Sequence, residues 1–388
     1  MSRGIGRGSI TRRGKKSWRL KFELGGDSAT NTRQTRYVTV KGTRHEAQKE
    51  LTLRLAAVDA GTHVEDTKTS VRDWLERWLA DQQGLAPKTL ERYRELIRHQ
   101  IIPHLGHCPL QKLRPVQIQT WHTKLLKEGR RKGGGLSART VGHAHRVLGK
   151  ALADATRLEM ISRDVTAAVP PPKVEAADVR ILTREQIAEV IAKLRGHSLH
   201  SITVLALATG MRRGELAGLR WDDIDLDGAK LRVERSLEET KAGLRFKTPK
   251  TKHGRRVITL PASAVEVLHH HRRQHLERRL ALGLGKLHAD ALVFPAFDGV
   301  TPMSPDNLSR DWARTCRRLQ LPLVMFHSLR HTHASALIAA GLDVLTISRR
   351  LGHAKPATTL NVYGHLFRQS DSGAAAAIEA AMGQGKGT

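Results

Sequence analysis

Apolar and polar residues alternate near the start of the chain. Trp18, Leu20, Phe22 and Leu24 are separated by Arg19, Lys21 and Glu23, and residues 36–40, rich in β-formers, read as a partner strand. Each stretch predicts a half-buried strand. Gly25, Gly26 and Asp27 between them supply turn chemistry. Thr43 and Glu46 have the spacing of a capping box, and the helix they open is expected to continue from Glu46 to Val58. From residue 69 the pattern becomes helical. Val71, Trp74, Leu75 and Trp78 fall on one helix face, a stripe that predicts core rather than a platform for stacking bases.

Two later helix starts are alike. Lys88 and Thr89 follow Pro87, and Arg139 and Thr140 follow Ser137 and Ala138. Each pairs a cation with a hydroxyl where free backbone N–H groups can meet a phosphate. These four residues are candidate contacts to phosphate, although ordinary capping accounts for the hydroxyls equally well. Residues 129–135, with Arg130, Arg131 and Lys132 among glycines, read as a flexible basic loop. Pro170, Pro171, Pro172 and Lys173 mark an exposed linker over residues 166–179.

Beyond the linker, Thr183 is expected to cap a helix and residues 202–208 read as a buried one. Residues 231–235 and 256–260 alternate as strands, joined by a polar loop over 247–256. After Pro302 the pattern is mostly helical. Phe326 opens a helix that Gly341 stops, with Leu329, His333, Ala336, Leu337 and Ala340 able to face the core and His333 serving as packing. Asp343 is expected to cap the next helix, and Thr359 a short one carrying Tyr363. No fixed-period repeat spans the chain. These patterns give an α+β, multidomain fold. Its parts are a small sheet plus helix over 1–62, a helical domain over 69–165, and a mostly helical domain with a small antiparallel sheet over 180–388.

Charge sharpens this picture. The 388 residues carry a formal net charge of +29 and a pI near 10.9. Residues 1–60 alone hold 14 Lys and Arg against 5 Asp and Glu. An excess of this size points to a polyanion, and nucleic acid leads. A membrane partner is disfavoured, because no run of 18 apolar residues occurs and no apolar face opposes a basic one. Cys108 and Cys316 are far apart, which leaves no disulfide framework and no zinc signature and fits a reducing compartment. The basic N-terminus lacks the apolar stretch and cleavage site of a signal peptide, so the cytoplasm is the expected location. The absence of an obvious nuclear address points toward a bacterial or phage setting.

The last third supplies the chemistry. Arg212, Lys250, His327, Arg330, His353 and Tyr363 follow one another there, and Tyr363 is one of only three tyrosines. Singly, each has an ordinary explanation: an arginine at a turn, a solvated loop lysine, structural histidines. As a set they suit breakage of a phosphodiester without metal. An arginine beside a helix N-terminus makes sense if an anion is bound there, and Glu215 is placed to hold its guanidinium. Two arginines on the non-bridging oxygens would stabilise a pentacoordinate transition state. A histidine can accept the phenolic proton and a lysine can protonate the departing oxygen. The product would be a phosphotyrosine ester that conserves the bond energy, so rejoining needs no cofactor. Competing motifs fail. Gly283 to Lys286 lacks the upstream glycine of a P-loop. The carboxylates of Asp222, Asp223, Asp225 and Asp227 read as turn and cap residues rather than a metal site. His269, His270 and His271, and His104, His107 and Cys108, have no diagnostic ligand spacing.

At these residues the chain resembles the tyrosine recombinases, specifically the integrases of phages and mobile elements. The motifs are TGMRRGELAGLRWDDID, PKTKHGRRVITL, HSLRHTHAS and LGHAKPATTLNVYGHL, and the match covers nearly the whole chain. The resemblance implies that residues 1–62 are an arm-type DNA-binding module with a three-stranded sheet, 69–165 a core-DNA-binding domain, and 180–388 the catalytic domain. It implies a site-specific recombinase that integrates or excises an element. Tyr363 would form a 3′-phosphotyrosyl link and free a 5′-hydroxyl. Arg212 and Arg330 would clamp the phosphate, Lys250 act as general acid, His327 assist proton transfer, and His353 bond the phosphate or orient the site. It further implies a homotetramer on double-stranded DNA working through a Holliday junction, nucleoid association, and an accessory DNA-bending or excision protein. The apolar tail from Ala374 to Met382 would pack on a neighbouring protomer. Ser328 stands where the family often has Asp, and Lys252 lies close enough to Lys250 to leave the choice of general acid open. Two alternatives share parts of this reading: a catalytically silent DNA-binding architectural or regulatory protein, and a relaxing enzyme like the type IB topoisomerases.

Overall fold

The computed structural model describes residues 8–26, 33–60, 63–175, 180–249, 252–367 and 372–383. The contacts divide the chain into two compact units, residues 1–175 and 176–388. In the first unit, strands β1 (Gly8–Gly14), β2 (Ser17–Gly26) and β3 (Arg33–Lys41) form an antiparallel sheet in that order. Residues 18–24 and 36–40 fall within β2 and β3. The edge strand β1 carries a single large apolar residue, Ile10, so its own pattern gives little sign of it. Helix α1 (Arg44–Asp59) starts at the Thr43–Glu46 capping box and packs on one face of the sheet. Leu20, Phe22, Ala47 and Leu51 close that small core. On the opposite face the register puts Lys21 between Ser9 and Tyr37, and Arg19 between Thr11 and Thr39. The Arg19 guanidinium stacks 4.2 Å from the centre of the Tyr37 ring.

The helical part of this unit contains α2 (Val71–Ala80), α3 (Pro87–Leu96), a five-residue π-turn (Ile97–Ile101), α4 (Ile102–Leu105), α5 (Pro115–Glu128) and α6 (Ala138–Arg157). The stripe of Val71, Trp74, Leu75 and Trp78 is buried in its core, with Ile118, Trp121, Leu148 and Leu152. Residues 165–168 fold into a short turn with Val165 and Thr166 buried, so the chain stays attached to this core past residue 166. Residues 176–179 lie outside the described residues.

The second unit holds α7 (Arg184–Lys193), α8 (His200–Thr209), α9 (Arg213–Ala217), β4 (Ile224–Asp225), β5 (Lys230–Val233), β6 (Ser236–Thr240), β7 (Gly243–Lys247), β8 (Arg256–Thr259), α10 (Ala262–Ala281), α11 (Pro305–Arg318), α12 (Ser328–Ala339), α13 (Val344–Leu351), α14 (Pro356–Tyr363) and α15 (Ser372–Gly383). Strands β4, β5 and β8 form one antiparallel sheet, and β6 and β7 a separate hairpin. The pairing of residues 231–233 with 256–258 follows from their alternation. The intervening hairpin does not. Leu237 is buried, but Leu244 and Phe246 are exposed, so no inward stripe announces it. The loop before β8 therefore leaves β7 rather than β5.

Helix α12 also departs from a one-faced reading. Leu329 joins the core that contains Leu205, Leu216 and Trp312, while Ala334 and Ile338 join a second one with Ile347, Leu351 and Tyr363. Its first turn packs into one core and its later turns into the other, and Ala336 and Ala340 are left exposed. Among the described residues no helix is long and apolar enough to cross a membrane.

Candidate active site

The site is assembled around the C-terminal end of α13. A helix leaves its last carbonyls without intrahelical donors and carries partial negative charge there. Here three successive carbonyls each take a different guanidinium. Arg256 Nε donates to Arg350 O at 2.7 Å, Arg330 Nη2 to Leu351 O at 2.7 Å, and Arg212 Nη2 to Gly352 O at 3.3 Å. Three cations are thus gathered at one helix end. Gly352 has φ +66°, and a Cβ there would come 2.9 Å from Arg256 Nη1. A side chain would spoil both the turn and the arginine beneath it.

Helix α8 ends at Gly210, whose φ of +64° turns the chain into α9. That turn sets Arg212 at the N-cap of α9. Glu215, 4% exposed, accepts from the Arg212 backbone N–H and from its Nη1, both at 2.9 Å. On its other side Glu215 receives Arg256 Nη2 at 2.8 Å and Nη1 at 3.3 Å. Burial alone would raise this carboxyl; the bonds and charge of Arg256, followed by those of Arg212, more than offset that and hold it below its ordinary value. Arg330 is 3% exposed and also donates to Gly210 O at 2.6 Å. Burial, then the Arg212 charge, lowers it to about 9, so it remains a cation at neutral pH.

Tyr363 ends α14 and is 3% exposed, packed on Ala334, Ile338, Ile347 and Leu351. Burial pushes the phenol up to about 12, opposed by the charge of Arg330. Its Oη lies 2.7 Å from Nδ1 of His331, one residue beyond Arg330. His327 packs its ring on that of His331 with centres 5.0 Å apart. His353 Nδ1 is 2.8 Å from the Thr359 hydroxyl, which is fully buried. Thr359 is therefore inside α14 rather than its cap, because Pro356 at the first turn opens that helix. His327 and His353 are both lowered to about 4, first by burial and then by neighbouring cations and His331, so both are neutral at pH 7. His333 is structural as well as buried. Its Nδ1 lies 2.7 Å from Leu207 O, and its Nε2 accepts from Arg350 Nε at 3.2 Å.

Arg212, His327, Arg330, His353 and Tyr363 thus converge on one site. Lys250 lies outside the described residues. Sequence reasoning missed His331 and Arg256. The first had a signal, since His327 and His331 are four apart and so share a helix face.

The DNA candidates lie in the first unit. Lys88 and Arg139 are exposed in the first turns of α3 and α6. The Thr140 hydroxyl is 3.0 Å from that of the N-cap Ser137, which is local capping. Burial, followed by the charges of Arg146, Arg92 and Arg139, lowers the pKa of His143. Asp223 accepts from Arg220 N–H and Arg235, a cap and turn role. Among the described residues no three His, Cys, Asp or Glu gather as metal ligands.

The phage integrase family model matches residues 180–370, and that of the phage integrase N-terminal SAM-like domain residues 70–126. A tyrosine recombinase XerC-like protein of Caldanaerobacter subterraneus subsp. tengcongensis is 27% identical over 387 residues, covering 94% of this chain and 96% of that protein. The ICEBs1 integrase of Bacillus subtilis is 26% identical over 283 residues, covering 72% and 74%. Among solved structures, the Tn1549 transposon integrase with transposon right end DNA matches with a TM-score of 0.67 at 21% identity, over 80% of this chain and 99% of that one. A lambda integrase tetramer bound to a Holliday junction matches with a TM-score of 0.57 at 20% identity, over 96% and 99%. These structural likenesses are of fold.

Proposed function

The chain belongs to the phage integrase family of tyrosine recombinases, and from that premise we propose how its residues cut and rejoin DNA at specific sites to integrate or excise an element. The observation that carries the assignment is the gathering of Arg212 and Arg330 at the end of α13, with His331 on the buried phenol of Tyr363, His327 packed on His331, and His353 on Thr359 of the tyrosine's own helix. Arg212 and Arg330 hold the non-bridging oxygens of the scissile phosphate. Their tethers to Glu215 and the α13 carbonyls fix them before substrate arrives, so little reorganisation remains for the transition state. Tyr363 attacks phosphorus and forms a 3′-phosphotyrosyl ester. A lysine of the loop before β8, Lys250 or Lys252, protonates the departing 5′-oxygen. His327 and His353, neutral at pH 7, can donate or accept hydrogen bonds at the phosphate without adding charge.

The experiment is a nicked duplex carrying the chain's cleavage site, itself found by footprinting. Its nick lets the cut strand diffuse away and traps the intermediate. The expected result is a covalent protein–DNA adduct, formed in the presence of EDTA, with the modified peptide containing Tyr363. No adduct would leave the silent DNA-binding reading standing. Adduct with relaxation but no strand exchange would favour the topoisomerase-like one.

Residues 1–62 are proposed to bind arm-type DNA and 69–165 the core site, with Lys88, Thr89, Arg139 and Thr140 at phosphates. The face of the small sheet opposite α1 presents Arg19, Lys21 and Tyr37, a set suited to a groove. Replacing Arg19 and Lys21 with alanine is expected to weaken arm-site affinity for all sequences and to reduce the salt slope by roughly 1 per lost phosphate contact. Binding titrations at several salt concentrations measure this, and an unchanged slope would remove that face from the DNA contact.

Four protomers on two duplexes, an accessory bending or excision protein, and a cytoplasmic, nucleoid-associated setting complete the proposal. In α15 the described side chains, Ile378 and Met382 among them, are exposed, which suits a segment that packs on a neighbour.

A further inference from the structure

A phenol becomes an effective nucleophile only as its proton leaves, and burial makes that loss harder for Tyr363. The proton needs an acceptor already in contact with it. Four histidines stand around the site. His333 uses both ring nitrogens on Leu207 O and Arg350. His353 has Nδ1 on Thr359. His327 packs its ring edge to face on His331. His331 places Nδ1 2.7 Å from Tyr363 Oη, with ring centres 5.6 Å apart.

Resting on the strand-transfer reading above, we propose that His331 is a catalytic base for Tyr363. As the Oη–P bond forms and the P–O5′ bond breaks, the phenolic proton passes to His331 Nδ1. The 5′-oxygen takes a different proton, from the loop lysine. On rejoining, the 5′-hydroxyl attacks phosphorus and gives its proton back to the loop lysine, while Nδ1 returns its own to the phenolate as the Oη–P bond breaks. The tautomer that allows this carries hydrogen on Nε2. Burial, followed by the adjacent Arg330 charge, lowers the pKa of His331, so its lone pair is free at neutral pH. Arg330 and His331 are consecutive on α12. The group that grips the phosphate and the group that takes the proton are therefore fixed to one rigid element.

The test uses the full chain and the nicked duplex made in two forms, with oxygen or with sulfur at the bridging 5′ position. A thiolate leaves without being protonated, so sulfur removes the need for an acid but not for a base. His331→Asn keeps an acceptor near the Nδ1 position and lacks basicity. It is expected to bind DNA normally and to form adduct slower by about 10²- to 10⁴-fold, by the same factor on both substrates. His331→Ala is expected to recover rate with added imidazole. Wild-type rates in His331→Asn, or a deficit that disappears on sulfur, would overturn the assignment. Circular dichroism reports whether the Asn variant is folded; if it is not, the imidazole response of the alanine variant decides, and no recovery counts against the base. A wild-type chain that forms no adduct refutes the strand-transfer reading itself.

Discussion

Tyr363→Phe will bind DNA as the wild type does and form no covalent adduct. The substitution removes one oxygen and keeps the ring that packs on Ala334, Ile338, Ile347 and Leu351. Its structural cost is the hydrogen bond to His331, about 1–2 kcal/mol at most. The catalytic cost is of another order. No bond to phosphorus can form at this position, and cleavage is expected to fall by on the order of 10⁴-fold or more. Arg212 and Arg330 are unaffected and still hold the phosphate. Gel-shift affinity, thermal unfolding and adduct formation on the nicked duplex measure the three quantities separately. Adduct formed by the phenylalanine variant would transfer the nucleophile's role to another residue. Tyr37 and Tyr93 are the other two phenols. Tyr93 stacks on Trp78 in the helical core and Tyr37 lies under Arg19, both in the first unit.

The site was legible in the sequence where side-chain chemistry alone defines it. Arg212, His327, Arg330, His353 and Tyr363 are ordinary one by one and stand out only as a set whose members fit one reaction, with Glu215 placed to hold the first arginine. What could not be read is the part made of backbone. The carbonyls of Arg350, Leu351 and Gly352 hold three arginines, and no residue type encodes a carbonyl. Arg256 is one more cation in a basic strand by sequence, because its partner, Glu215, lies 41 positions away. Much of the fold could be read from period and capping: the β2–β3 pair, the Thr43–Glu46 box, the stripe at Val71, the pairing of β5 with β8. The β6–β7 hairpin is not legible because β7 exposes its apolar residues, Leu244 and Phe246, and leaves Leu237 of β6 as the one buried apolar position, and Thr359 does not cap α14 because Pro356 is the stronger start signal.

Glu215→Gln will be the most destabilising single isosteric change at the site. Glu215 and Arg256 form a buried pair with side chains 4% and 6% exposed. Removing one member leaves the other charged and out of water, which costs about 3–5 kcal/mol. At roughly 2–4 °C per kcal/mol for a domain of this size, the midpoint should fall by about 10 °C. The amide can still accept one bond, so the lower end of the range is expected. Acid should imitate the substitution. The folded carboxyl titrates below its ordinary value, so its contribution is present above the unfolded pKa and is lost as pH falls through the folded one. The Gln variant should consequently lose less stability than the wild type on acidification. The pair also separates stability from chemistry. Glu215→Leu together with Arg256→Met removes both charges, a replacement that is often neutral for a buried pair. That double variant should recover most of the lost stability. It should not recover cleavage, because Arg212 has lost its two bonds to Glu215 and keeps only Gly352 O. Denaturant unfolding and adduct rates on the same preparations decide the matter. A Gln variant within 1 kcal/mol of wild type, or a double variant with full activity, would mean that Arg212 is positioned by something other than Glu215.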